Sequence, residues 1–201
     1  MPAYRDVAAY DERAAHYDHG WRGRLHHTIG DRTAALATAT VAAPYRVLDV
    51  GCGTGYLLRA LAGHYPGAEE LAGIDAAPNM IETARRLSDN QRLTFAVGVA
   101  EHLPYPDASI DLVVSSTSFD HWCDQLAGLA ECARVLRPGG HLVLADQFSR
   151  WLIPTLAGSR RGKARTRRRV DRLLLRAGFG RTQWYKLHAV IINAVVAVKR
   201  G

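Results

Sequence analysis

Beyond Pro44, short apolar runs of strand length alternate with stretches in which apolar residues recur at helical spacing. The runs predict strands near 45–50, 70–75, 92–97, 110–116 and 140–146, and the periodic stretches predict helices near 55–64, 78–88, 124–136 and 164–177. Two final strands, near 182–187 and 190–198, are joined by a tight turn around His188. Strands separated by helices imply an α/β fold with a mostly parallel sheet covered on both faces, to which the closing hairpin adds one antiparallel strand. Ahead of this core, Tyr4 to Thr40 reads as a helical segment carrying Tyr10, His16, Tyr17, Trp21, His26 and His27. In such a sheet ligands bind beyond the carboxyl ends of the strands, at the switch in strand order. Residues 51–55, Asp75, 98–101 and 115–122 fall on that edge.

The first of these stretches is Val-Leu-Asp-Val-Gly-Cys-Gly-Thr-Gly at 47–55. Val47, Leu48 and Val50 suit a strand covered on both faces. Gly51, Gly53 and Gly55 permit positive φ and leave bare backbone for a ligand to approach. Asp49 is an acid inside an apolar run, where burial without a partner costs several kcal/mol; it therefore bonds either the turn amides or a cationic ligand. A dinucleotide fingerprint needs its third glycine at position 56, which is Tyr56, and no Gly-Lys-Ser/Thr follows to make a phosphate loop. Asp75 ends the second strand, where a carboxylate accepts from ribose hydroxyls; the alternative is that Asp75 or Asn79 caps the helix opened at Pro78.

Composition adds bounds. A chain of 201 residues, 48% hydrophobic and 22% charged, fits one soluble globular domain. The N-terminus lacks the apolar core of a signal peptide, and the longest apolar stretch, 189–198, is interrupted by Asn193 and too short to span a membrane. Cys52, Cys123 and Cys132 are odd in number and lack metal-ligand spacing, so free thiols in the cytoplasm and no metal are expected. Charge is uneven: residues 1–149 hold 12 Lys/Arg against 18 Asp/Glu, and residues 150–201 hold 14 against 1. Most of that excess lies between Arg150 and Arg181.

Four blocks, Val47–Leu61, Gly73–Arg85, Gly98–Ser116 and Ala127–Val143, taken in order, resemble the motifs of class I S-adenosylmethionine-dependent methyltransferases. The nearest likeness is to the methyltransferase type 11 group, which includes ubiquinone and menaquinone C-methyltransferases and natural-product enzymes. The resemblance implies a Rossmann-like, seven-stranded sheet of order 3-2-1-4-5-7-6, with S-adenosyl-L-methionine as cofactor. It implies that Gly51, Cys52 and Gly53 approach the methionine moiety through backbone, that Gly55 belongs to the same cofactor-binding loop, and that Asp49 bonds the amino group directly or through water. Asp75 then holds the ribose, Ala76 and Met80 border the adenine, Ala100 and Glu101 line its edge, and Ser115 lies beneath the sulfonium. Relatives often carry Asp where this chain has Val99, so the bond to the adenine amino group falls to Glu101 or a main-chain carbonyl.

The segment Ala9–Asp18 is similar to the family's entrance motif, which implies that Tyr17 closes over the cofactor and that residues 1–40 form a helical lid; the alternative is that Tyr10 and Tyr17 are an apolar stripe packed on the body. Residues 41–146 are expected to be the cofactor-binding core, 147–169 a basic insertion on the acceptor side and 170–201 the last helix and hairpin. In Phe119-Asp120-His121-Trp122, His121 is a candidate general base, or it and Trp122 pack the start of a helix capped by Asp124. The resemblance implies that Trp151–Leu156 and the Arg160–Arg169 cluster contribute to the acceptor site. The cluster is a solvated face, or it meets an anionic or lipid-like acceptor or a membrane surface; nucleic acid is disfavoured because Ser115–Ser118 replaces the motif of base-amino methyltransferases. The expected activity is methyl transfer to a small-molecule acceptor. The alternatives are an RNA- or ribosome-associated methyltransferase and a non-catalytic cofactor-binding protein.

Overall fold

The computed structural model describes residues 7–148, 166–189 and 191–201. The strands are β1 (Arg46–Val50), β2 (Glu70–Asp75), β3 (Leu93–Val97), β4 (Ile110–Ser116), β5 (Leu136–Asp146), β6 (Phe179–His188) and β7 (Ile192–Lys199). They form one sheet of order β3-β2-β1-β4-β5-β7-β6, in which β7 runs antiparallel to both its neighbours. The sequence expectation of a seven-stranded, mostly parallel sheet holds. β5 begins four residues earlier than its apolar run, because the turn at Gly139 and Gly140 lies inside the strand and shifts its register against β4.

The central strands are covered on both faces. Val47, Leu48 and Val50 of β1 and Leu112, Val113 and Val114 of β4 are all at most 1% exposed. Burying each such side chain stabilises by about 1.5–3 kcal/mol. The chain crosses the sheet centre between β1 and β4, which pair with Val47 opposite Leu112 and Asp49 opposite Val114. That switch in strand order opens a crevice at the carboxyl ends of β1, β2 and β4.

The helices are α1 (Val7–Arg13), α2 (Gly20–Thr40), α3 (Tyr56–His64), α4 (Pro78–Arg86), α5 (Gln125–Val135) and α6 (Arg167–Arg176). The single N-terminal helical segment expected from sequence is therefore broken. A short 3-10 turn at Ala14–His16 follows α1, and Gly20 takes φ +69 where α2 starts. α2 buries Ile29, Thr33, Ala34 and Ala37 against the body, whereas α1 buries no residue. α6 presents Val170 and Leu174 to the core, with Leu173 partly buried beside them. Trp151–Leu156 and Arg160–Arg165 lie outside the described residues, as does the start of the expected helix at 164. Among the described residues, no helix is long and apolar enough to cross a membrane.

Candidate functional site

β1 delivers the chain into a turn whose donors face away from the preceding acid. Gly51 and Cys52 N–H groups donate to Ile74 O at 2.7 and 3.0 Å, Gly53 N–H donates to Asp75 Oδ2 at 2.9 Å, and Gly55 N–H donates to Cys52 O at 2.9 Å. Gly51 sits at φ +79, and a Cβ there would lie 2.3 Å from Ser118 Oγ, so only glycine lets this loop meet the turn after β4. Gly55, at φ +80, faces the Phe95 ring instead; it packs the start of α3 and stands behind the crevice wall.

With those amides engaged, Asp49 is left apart. It is 1% exposed and its Oδ1 has no hydrogen-bond partner. Burial first, then the neighbouring Asp75, pushes its carboxyl up to about 8. An uncompensated buried carboxyl is costly, and among the described residues no lysine or arginine lines the pocket it borders. Asp75 fares better: its two oxygens accept from Gly53 N–H and Ala77 N–H, although burial still raises its pKa. Neither Asp75 nor Asn79 caps α4 through its side chain. That role is taken by Asp11, whose Oδ1 accepts from Asn79 N–H at 2.8 Å.

Two hollows meet at the loop. The larger, about 760 Å³ including its open mouth, is walled by Asp75, Ala76, Met80, Gly98, Val99, Ala100 and Glu101, with Tyr10, His121 and Trp122 on its other side. The smaller, about 430 Å³, is bordered by Asp18, His26, His27, Asp49, Cys52, Thr54, Tyr56 and Leu57. Tyr17, Gly51, Gly53, Ser116 and Thr117 border both. Eleven of the thirteen expected site residues thus line these hollows; Ser115 and Gly55 do not. Ser115 is fully buried one layer down, its Oγ 2.8 Å from Ser118 Oγ, because strand alternation turns Ser116 outward in its place. Glu101 lines the larger hollow while its Oε1 accepts from Asp124 N–H at 2.8 Å.

The entrance segment is tied to each wall. Tyr10 Oη lies 3.0 Å from His121 Nε2, and Tyr17 Oη lies 3.4 Å from His26 Nδ1. Asp18 Oδ1 accepts from His27 Nε2 at 2.9 Å and from Thr54 Oγ1 at 3.1 Å. Tyr10 and Tyr17 also pack on Ala14, Ala77 and Met80, so the apolar stripe and the contact with the site coexist. Trp122 packs the start of α5, whose N-cap is Asp124 as expected. Sequence reasoning did not single out Thr54, Thr117 or Ser118. Thr54 stood inside the glycine run and was findable there. Nothing in the sequence signals that Thr117 adopts φ +56, a conformation a β-branched residue rarely takes.

Residues 48–144 match the family model described as a methyltransferase domain. That stretch of the chain is a methyltransferase domain of the class I, type 11 kind. The demethylmenaquinone methyltransferase of Deinococcus radiodurans is 44% identical over 119 residues, which are 58% of this chain and 49% of that protein. The 27-O-demethylrifamycin SV methyltransferase of Amycolatopsis mediterranei is 34% identical over 166 residues, 74% of this chain and 59% of that one. This chain spans about half the length of such curated relatives. Among solved structures, a chain of the Haloferax volcanii complex between the Trm112 methyltransferase activator and a candidate methyltransferase superimposes with a TM-score of 0.81. It is 23% identical, and the match covers 99% of this chain and 98% of that one. At that identity the likeness shows the fold alone.

The fold and the relatives imply S-adenosylmethionine as cofactor. The two hollows fit its two halves. A nucleoside suits the larger one, with Asp75 at the strand end and Met80 and Ala100 on its walls. An amino-acid tail suits the smaller, where the orphaned Asp49 oxygen meets the need of an ammonium group and the first turn of α3 lacks a side-chain cap.

Proposed function

We propose that this chain transfers a methyl group from S-adenosylmethionine to a small-molecule acceptor. The observation that carries this reading is the buried Asp49 oxygen without a partner, beneath a loop whose amides donate elsewhere. When bound, the cofactor supplies an activated methyl on a sulfonium, so the protein's part is alignment and exclusion of water. Asp49 holds the ammonium and Asp75 the ribose. Gly51 and Gly53 bring bare backbone to the junction of the two hollows, where the sulfonium joins the nucleoside to the amino-acid tail. Tyr17 covers that junction. Its hydroxyl stays protonated because burial raises its pKa, so it presents a neutral donor and a ring rather than a charge. Because α2 is packed into the body, the moving part of this lid is residues 7–19.

The acceptor reaches the junction past Ser116 and Thr117, with His121 and Tyr10 on the nucleoside side and His26 on the other. His26 is held neutral by burial, which lowers its pKa and leaves an imidazole able to take a proton. The names of the relatives, a quinone methyltransferase and a rifamycin methyltransferase, support a small-molecule acceptor. Incubation of metabolite extracts with methyl-labelled S-adenosylmethionine tests this reading. Label recovered in a small molecule supports it; cofactor binding with no labelled product across a broad extract panel favours a non-catalytic binding protein.

A further inference from the structure

We propose that the outer face of α6 docks this protein on an anionic membrane surface. The face carries Arg168, Arg169, Arg172 and Arg176, all exposed, with Leu175 among them at 55% exposure. The only acid of the helix, Asp171, is turned inward, accepting from Trp184 Nε1 at 2.9 Å. Arg168, Arg172 and Arg176 make no ion pair among the described residues. Their neighbours add charge of the same sign: Arg181 on β6 is exposed, and β6 is the edge strand of the sheet. The opposite, apolar face of α6 is already committed to the core through Val170 and Leu174. Arg168, Arg172 and Arg176 therefore hold no partner charge in place within the described fold.

Its chemistry selects among anionic partners. Single-stranded nucleic acid is gripped by exposed aromatic rings between the cations, and the described part of this face presents none. A protein interface has a desolvated apolar or aromatic centre, whereas this face offers one leucine. A lipid surface needs only what is present: guanidinium groups at headgroup level, their alkyl stems snorkelling, and an apolar side chain between them. The start of α6 also lies at the crevice edge of the sheet. Arg167 donates to Asn193 Oδ1 at 2.6 Å, and Asn193 pairs with Asp146 at the end of β5. A surface bound to this face is therefore near the mouth through which an acceptor enters.

Co-sedimentation of the full chain with vesicles of phosphatidylcholine, alone or with about one-third phosphatidylglycerol, tests the proposal. Binding is expected to the anionic vesicles only and to fade as salt shortens the range of the charges. Replacing Arg168, Arg172 and Arg176 together by Gln is expected to weaken partitioning roughly a hundredfold, at about fivefold per arginine. A second variant, Leu175→Asp, is expected to weaken it as well while leaving the helix's buried face intact. An unchanged circular dichroism melt shows that both variants fold. Equal binding to neutral vesicles, or binding to anionic vesicles that the variants leave unchanged, overturns the proposal. So does tighter binding to a duplex oligonucleotide than to the anionic vesicles. None of these outcomes bears on the methyl-donor site, which cofactor binding tests separately.

Discussion

Asp11 and Asn79, 68 residues apart, are joined by a 2.8 Å hydrogen bond in which the carboxylate of the entrance helix caps the first turn of α4. An N-cap formed from outside the helix couples two elements. α1 buries no residue of its own; this cap, the Tyr10–His121 bond and the packing of Val7 and Tyr10 beside Ala77 and Met80 hold it over the larger hollow. Asp11→Ala is expected to cost about 1 kcal/mol, the ordinary loss of a cap. Hydrogen exchange is expected to show residues 7–17 losing protection while β1 and β4 keep theirs. Uniform loss across the sheet would show that α1 is part of the cooperative core instead.

Thr117 holds φ +56 at the junction of the two hollows. Strain of this kind costs on the order of 1–3 kcal/mol and persists where function requires it. Thr117→Gly is expected to raise the melting temperature by about 2–4 °C, the equivalent of roughly 1 kcal/mol in a chain of this size. Turnover, or affinity for the cofactor, is expected to fall. A variant that melts lower would mean that the threonine's contacts outweigh its backbone strain.

Val99 lines the larger hollow between Gly98 and Ala100, where the proposed adenine would lie, and an apolar side chain cannot accept from its amino group. Val99→Asp is expected to tighten cofactor binding about tenfold, the equivalent of one charge-assisted hydrogen bond. Unchanged affinity would show that Glu101 or a main-chain carbonyl already fills that role. Glu101 has one oxygen committed to Asp124 N–H, which favours the tenfold gain.

Asp49 sets a pH dependence whose sign follows from its raised pKa. Burial favours its protonated form in the folded chain, so its contribution to stability is full below the ordinary carboxylate range and is lost as pH climbs towards about 8. Asp49→Asn removes that slope. The variant is expected to melt near the wild type at about pH 5 and above it at about pH 8.5. Identical pH profiles for the two proteins would mean that Asp49 ionises freely.

The sheet was legible because its strands are buried on both faces and read as continuous apolar runs, as at Val47–Val50 and Leu112–Val114. The break in the N-terminal helix was not, because a helix that buries small residues such as Gly23, Ala34 and Ala37 leaves little periodic signal. Residues whose role depends on local chemistry, Asp49 and Asp75, stood out as acids at strand ends. Ser115 and Ser116 could not be told apart, since facing the crevice depends on strand parity at the last residue. His26 reaches the site only because α2 folds back over the glycine loop, a tertiary fact that spacing does not encode.

Calorimetric titration with S-adenosylhomocysteine, and with methylthioadenosine, which lacks the amino-acid tail, tests the cofactor site most directly. The wild type is expected to bind the first with a Kd in the micromolar range, about −8 kcal/mol, and to release close to one proton at neutral pH as Asp49 ionises against the ammonium. Asp49→Asn is expected to weaken that binding at least tenfold and leave methylthioadenosine binding unchanged. Failure of the wild type to bind either nucleoside, or equal loss of both ligands in the variant, would contradict the assignment of Asp49 to the methyl donor's tail.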